Sequence, residues 1–407
     1  MALTIAAITT AFGPTIKSLA ETSAKELAKK LFGKLKGRFA GETELETALI
    51  TAIEGNRIED FIKENEKNLP GDAVAKLRSL ASMKSSFDKV DEILKAQVYT
   101  EEAANSFIQF AKSFEDVTSR LSFEEAGVKE IDVEDAETSE KIAVKSEEYT
   151  EALLLRYAAA VWTQLGARLT PELKGWSLEY DSKVKVIIQK PTILAAARKA
   201  EVAFDREVPA SAPVIAPEAG GAAAKGLDLL RFRSAYTSLM QSYKDSLPVR
   251  DNYVKAASCL KSALIKSKAA KGRQHEIHKH MDPKHLEGLI QAFRGEAQYW
   301  LFNISEDLAE NATMAREIYD EDRKQVEEYL KDTMGVTKAE LNEFFDALNL
   351  YDDMGKGFSG ALKLYKEAAD KCSEGKDEDM IKTRISETEK YGSNKSSIFV
   401  QDPKPIL

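Results

Sequence analysis

Cysteine is scarce. The 407-residue chain has two, Cys259 and Cys372, too few for a disulfide framework and in keeping with a reducing compartment. The three N-x-S/T sequons, at Asn303, Asn311 and Asn394, therefore carry no weight as glycosylation sites. Long apolar runs are also missing. No stretch reaches eighteen uncharged apolar residues, so no spanning helix is expected. The most apolar segment, Ala152 to Leu169, is interrupted by Arg156, Thr163, Gln164 and Arg168 and reads as a helix buried in a core. No basic residue precedes the apolar start Met1-Ala-Leu-Thr-Ile-Ala-Ala-Ile8, which argues against a secretory signal. A Walker loop, a G-x-S-x-G elbow, a C-x-x-C pair and an internal repeat of 20–50 residues are all lacking. These absences remove the commonest nucleotide, hydrolase and thiol chemistries that a motif can announce.

Charge is plentiful and unevenly placed. The first forty residues hold Lys17, Lys25, Lys29, Lys30, Lys34, Lys36 and Arg38 against Glu21 and Glu26. That is a net of +5 in a chain of net −9, so the remaining residues carry −14. After Pro14, Ile16, Ala20, Ala24, Leu27, Leu31 and Leu35 recur every three to four residues, widened by Phe32 and Phe39. Such a basic amphipathic helix suits docking on an anionic membrane or an acidic partner. Glu21 with Lys25 and Glu26 with Lys30 are i,i+4 pairs that an ordinary solvated surface helix would also use. Gly33 and Gly37 each cost about 1 kcal/mol relative to alanine in a helix. The opposite extreme lies at 124–148, where ten carboxylates face three lysines.

Helical periodicity dominates the rest. The apolar pattern predicts a helix over 101–121, and Thr43-Glu-Leu-Glu46 and Thr337-Lys-Ala-Glu340 are capping boxes. Ile131 and Val133 suggest a short strand in the acidic stretch. At 175–190 the period changes: Trp176, Leu178 and Tyr180, then Val184, Val186 and Ile188, alternate with polar residues around Asp181-Ser182-Lys183. That predicts a β-hairpin. Thirteen of the twenty residues at 207–226 are alanine, proline or glycine, the composition of a linker. Beyond it, helices are expected at 227–246, 250–270, 283–311, 313–334, 338–350, 359–373 and 376–390. The tail at 396–407 carries Ile398, Phe399 and Val400, then Pro403 and Pro405, which forbid a helix. It is expected to lie across its own domain or to serve as an arm that reaches a neighbouring subunit.

All four histidines fall within eleven residues: His275, His278, His280 and His285. Two histidines with a carboxylate can hold iron or zinc, and Asp282 is the nearest carboxylate on the helical repeat. Against this, Asp282-Pro283 reads as an N-cap and first helical position, which would separate the three. The spacing is not H-E-x-x-H, and Lys271, Arg273, Lys279 and Lys284 oppose a cation. The alternatives are a solvated polar loop or a contact sensitive to pH. Gly355-Lys-Gly-Phe-Ser-Gly360 matches G-x-G-x-x-G in letters. A helix rather than a strand precedes it, so a helix–loop–helix turn is expected, with Ser359 near the next cap. Tyr236, Tyr243 and Tyr253 near Arg231, Arg233 and Lys255 could line a nucleic-acid groove, although helical spacing favours core positions.

The expected fold is mostly α. One helical-bundle domain spans 1–206 with its small β-hairpin, a linker covers 207–226, and a second bundle spans 227–407 with an extended tail. No catalytic site and no cofactor are expected; zinc would be the ion if the histidines bind one. The favoured function is an interaction or assembly protein, cytoplasmic and peripheral to membranes at most. Its docking residues would be Lys25, Leu27, Lys29, Lys30, Leu31, Phe32, Lys34, Leu35, Lys36, Arg38 and Phe39. The partner would be a second copy, another protein or an anionic membrane surface. Three alternatives follow: a membrane-active effector or toxin inserting its N-terminal region, a nucleoprotein or coat-like protein carrying nucleic acid, and a metalloenzyme at the histidines.

Overall fold

In a computed structural model, the described residues are 57–65, 100–120, 131–134, 141–178, 220–270, 277, 279–372 and 375–407, with scattered positions between 48 and 92. The basic segment at 15–39, the capping box at 43–46 and residues 179–219 lie outside them. The elements in chain order begin with α1 (Ile58–Asn65), α2 (Glu101–Arg120), β1 (Ile131–Glu134), β2 (Lys141–Val144) and α3 (Glu147–Leu169). They continue with α4 (Gly220–Ala270), α5 (Pro283–Phe302), α6 (Leu308–Glu321), α7 (Arg323–Glu328), α8 (Lys338–Asp352), α9 (Met354–Ala369) and α10 (Gly375–Glu389). The protein is mostly α.

β1 and β2 pair antiparallel, Ile131 opposite Val144 and Glu134 opposite Lys141. This short ladder lies in the acidic stretch. Of the hairpin expected at 175–190, only 175–178 are described, and they form an irregular segment that carries Trp176 and Leu178 into the core.

α3 is the central helix. Ser146 caps it by accepting the Tyr149 N–H, Glu147 and Glu148 sit in its first turn and Arg168 in its last, each complementing the helix dipole. Pro171 stops it. Nearly every side chain of α3 is buried, including Leu155, Ala158, Ala159 and Trp162, as the run from 152 to 169 predicted. Each fully buried leucine here contributes about 1.5–3 kcal/mol.

α4 lies along α3 and α5 packs on α4, so one hydrophobic core runs from Ala52 and Phe61 through α3 and α4 to Val400. The segment at 207–226 therefore divides the sequence without dividing the core. Its last residues, from Gly220, already belong to α4. Two lysines of α4 reinforce the joint: Lys266 pairs with Glu115 of α2 (2.6 Å) and Glu151 of α3 (2.7 Å), and Lys255 pairs with Glu101 (2.8 Å).

Several helix boundaries differ from those expected; the helix expected over 313–334, for example, starts at Leu308 and is broken at Asp322. α4 continues through Pro248, where tertiary packing outweighs the roughly 3 kcal/mol that an internal proline costs. α9 starts at Met354, so the glycines of 355–360 sit inside a helix instead of a loop. Gly357 is where α9 presses on Phe302 of α5; an added methyl would overlap that ring. The helix expected over 283–311 ends at Phe302 with Asn303 as its C-cap, and α6 begins at Leu308. The caps at Asp282 and Thr337–Glu340 form as expected.

Candidate functional site

The described residues bring together two of the four histidines. Lys279–Met281 is a 3-10 turn carrying His280, and Pro283 starts α5, which carries His285 in its first turn. Asp282 spends its carboxylate on the helix start, accepting the N–H groups of Lys284 (2.8 Å) and His285 (3.4 Å). It is thus not the acidic partner that the local sequence offered. That place is taken by Asp377, in the first turn of α10. Its Oδ2 lies 3.1 Å from His285 Nε2, with both side chains about 11–12% exposed. The His280 ring stands edge-on to His285, 5.6 Å between centroids. One ligand atom from each of His280, His285 and Asp377 falls within 4.8 Å of the other two. His275 and His278 lie outside the described residues.

The surroundings hold this corner firmly. The Cys372 thiol donates to the His285 carbonyl at 3.4 Å; burial, with Asp377 nearby, pushes that thiol up to about 12. Lys268 and Lys371 both reach Glu287, at 2.7 and 3.2 Å. The Lys268 ammonium, with Lys371, holds the Glu287 carboxyl below its usual range. Two lysines of this corner therefore share one carboxylate of α5.

The tail lies on its own chain. Gln298 of α5 clamps it: its Nε2 donates to the carbonyls of Gly357 (2.6 Å) and Ser397 (2.8 Å), and its Oε1 accepts from Phe399 N–H (2.8 Å) and Val400 N–H (3.3 Å). Val400 is buried and Phe399 packs against Phe302, whereas Ile398 is 40% exposed. Farther along, Lys261 pairs with Asp402, and Ser262 Oγ accepts the N–H groups of Ile406 and Leu407. The three tyrosines weighed for a groove are packing residues: Tyr253 stacks on Phe293 and donates to the Trp176 carbonyl, Tyr236 sits against Phe232 and Phe344, and Tyr243 meets Tyr351 edge-on.

Sequence reasoning missed Asp377 and the groups around Glu296. Glu296, fully buried in α5, accepts from Trp176 N–H, Trp300 Nε1, Tyr365 Oη and the Arg384 guanidinium. Nothing in the local pattern marks these residues, because their partners lie 69 to 210 positions away apart from Trp300 and Arg384's neighbour Glu387. No family model matches the chain, and no curated protein or solved structure is similar to it. No helix among the described residues is long and apolar enough to cross a membrane.

Proposed function

We propose that this chain is an interaction or assembly protein that docks through helical faces and a basic amphipathic N-terminal helix. The observation that carries the reading is the segregation of charge: +5 in the first forty residues against −14 in the rest. On the helical pattern, Lys25, Lys29, Lys30, Lys34, Lys36 and Arg38 supply the charge, and Leu27, Leu31, Phe32, Leu35 and Phe39 the apolar contact. Each lysine near an anionic surface contributes on the order of 1 kcal/mol, screened by salt. The mass behind it supports the reading too, because one continuous core offers a stiff body on which a docking segment can be carried.

The test compares the full chain with one starting at Thr43, in flotation with anionic vesicles at low and high salt and in solution mass. Salt-sensitive flotation, or an assembly mass, that is lost in the shortened chain supports the proposal. Identical behaviour of the two chains in both assays overturns it. Dye leakage from the vesicles would move the reading to a membrane-active effector, and a raised 260/280 nm absorbance ratio to a nucleoprotein.

A further inference from the structure

His280, His285 and Asp377 come from three places: a 3-10 turn, the first turn of α5 and the first turn of α10. The fold, not the local sequence, makes them neighbours, since Asp377 lies 92 positions beyond His285. We propose that these three side chains bind one divalent first-row transition-metal ion, zinc by preference, tying the start of α5 to the start of α10.

The donor set fits. Two imidazoles and one carboxylate are a zinc or iron(II) set that leaves at least one position open. Distances fit as well. Zinc bonds to histidine nitrogen and carboxylate oxygen are about 2.0–2.2 Å, so two such atoms on one tetrahedral ion lie roughly 3.3 Å apart. His285 Nε2 and Asp377 Oδ2 are 3.1 Å apart. The third ligand atom lies within 4.8 Å of both, so a ring rotation of His280 on its short turn closes the set. The Cys372 thiol on the His285 carbonyl steadies the backbone behind the ligand. Of the cations that the sequence set against an ion, Lys284 is exposed, and Lys271 and Arg273 lie outside the described residues; two further lysines nearby, Lys268 and Lys371, both pair with Glu287.

The experiment uses the full chain purified without a histidine tag, stripped with chelator and reloaded with zinc, and separately with cobalt(II) for its d–d absorbance. About one zinc per chain and a cobalt spectrum are expected. His280→Ala and Asp377→Asn should each weaken zinc by more than the roughly 10–100-fold that loss of a mere supporting group costs, and each should abolish the cobalt bands. Circular dichroism in chelator checks that both variants remain folded. His280→Ala leaves the His285–Asp377 hydrogen bond untouched, so a loss of zinc there cannot be ascribed to that bond. Less than about a tenth of an equivalent in the unaltered chain overturns the proposal. Zinc that persists in Asp377→Asn also overturns it, because the ion would then rest on the histidines of 275–285 alone.

Discussion

Glu296→Gln removes one charge from the centre of the fold and changes almost no volume. Oε1 of Glu296 accepts from Tyr365 Oη (2.8 Å) and Arg384 Nε (2.5 Å); Oε2 accepts from Trp300 Nε1 (3.0 Å), Trp176 N–H (3.2 Å) and Arg384 Nη2 (3.2 Å). Burial by itself would lower the pKa of Arg384, but Glu296, Tyr365 and Glu387 together raise it above its usual value and the guanidinium stays charged. It also lies over the rings of Tyr299 and Trp300. A glutamine can offer its oxygen to only one half of this donor ring. Whichever way it turns, its NH2 faces donors: Tyr365 and Arg384 Nε, or the two tryptophan N–H groups. Breaking a buried ion pair from one side costs about 3–5 kcal/mol, and that is the expected loss. Arg384 retains Glu387, at 2.6 Å, and the Lys174 carbonyl, which favours the lower end of the range. Urea unfolding followed by far-UV circular dichroism and tryptophan fluorescence together is the assay, since Trp176 and Trp300 both touch the network. Arg384→Met should cost a similar amount, and the double variant less than the sum of the two, because no unpaired charge remains buried. A Glu296→Gln cost under about 1 kcal/mol, or strict additivity of the two changes, would refute the view that this pair locks α5 to α10.

Gly360→Ala should dislodge the tail, because a methyl there overlaps the Ser397 carbonyl and the Gln298 amide; limited tryptic proteolysis after Lys395 should speed up markedly, and an unchanged digestion pattern would contradict it. Burial pushes the Cys259 and Cys372 thiols up to about 12, so a thiol reagent at pH 8 should modify neither in the native protein and both after denaturation.

Local signals located most of the helices. The apolar repeat over 101–121 became α2, and Asp282-Pro283 and Thr337–Glu340 set their helix starts because a cap acts on backbone groups within one turn. Pro248 misled for the complementary reason. A proline's cost is local, whereas the packing of Val249, Tyr253 and Leu260 that outweighs it is not. The alanine, proline and glycine run at 207–226 suggested a linker, and its described residues, from Gly220, open α4 instead. It did not reveal that α3 before it and α4 after it lie side by side, because composition is silent on which helices pack together. The expectation that the tail lies across its own domain rested on its prolines. The side chain that holds it, Gln298, is polar, central in α5 and unmarked in sequence.

The candidate site follows the same logic. Four clustered histidines are visible to any reader, and Asp282 offers a carboxylate two to seven residues away. Asp282 is claimed by the helix start, however, and an N-cap is worth about 1 kcal/mol to the helix it begins. The acid that faces His285 comes instead from α10, packed against α9, which in turn packs on α5. A site assembled this way depends on the seating of α10, and α10 is seated by Arg384 on Glu296. The two features are therefore coupled through one helix. A change that loosens the Glu296–Arg384 pair should weaken metal binding at Asp377 without touching a ligand, whereas a metal held by the local histidines alone would not respond. Measuring zinc affinity in Glu296→Gln thus tests whether the helical body, and not the 275–285 loop, organises the site.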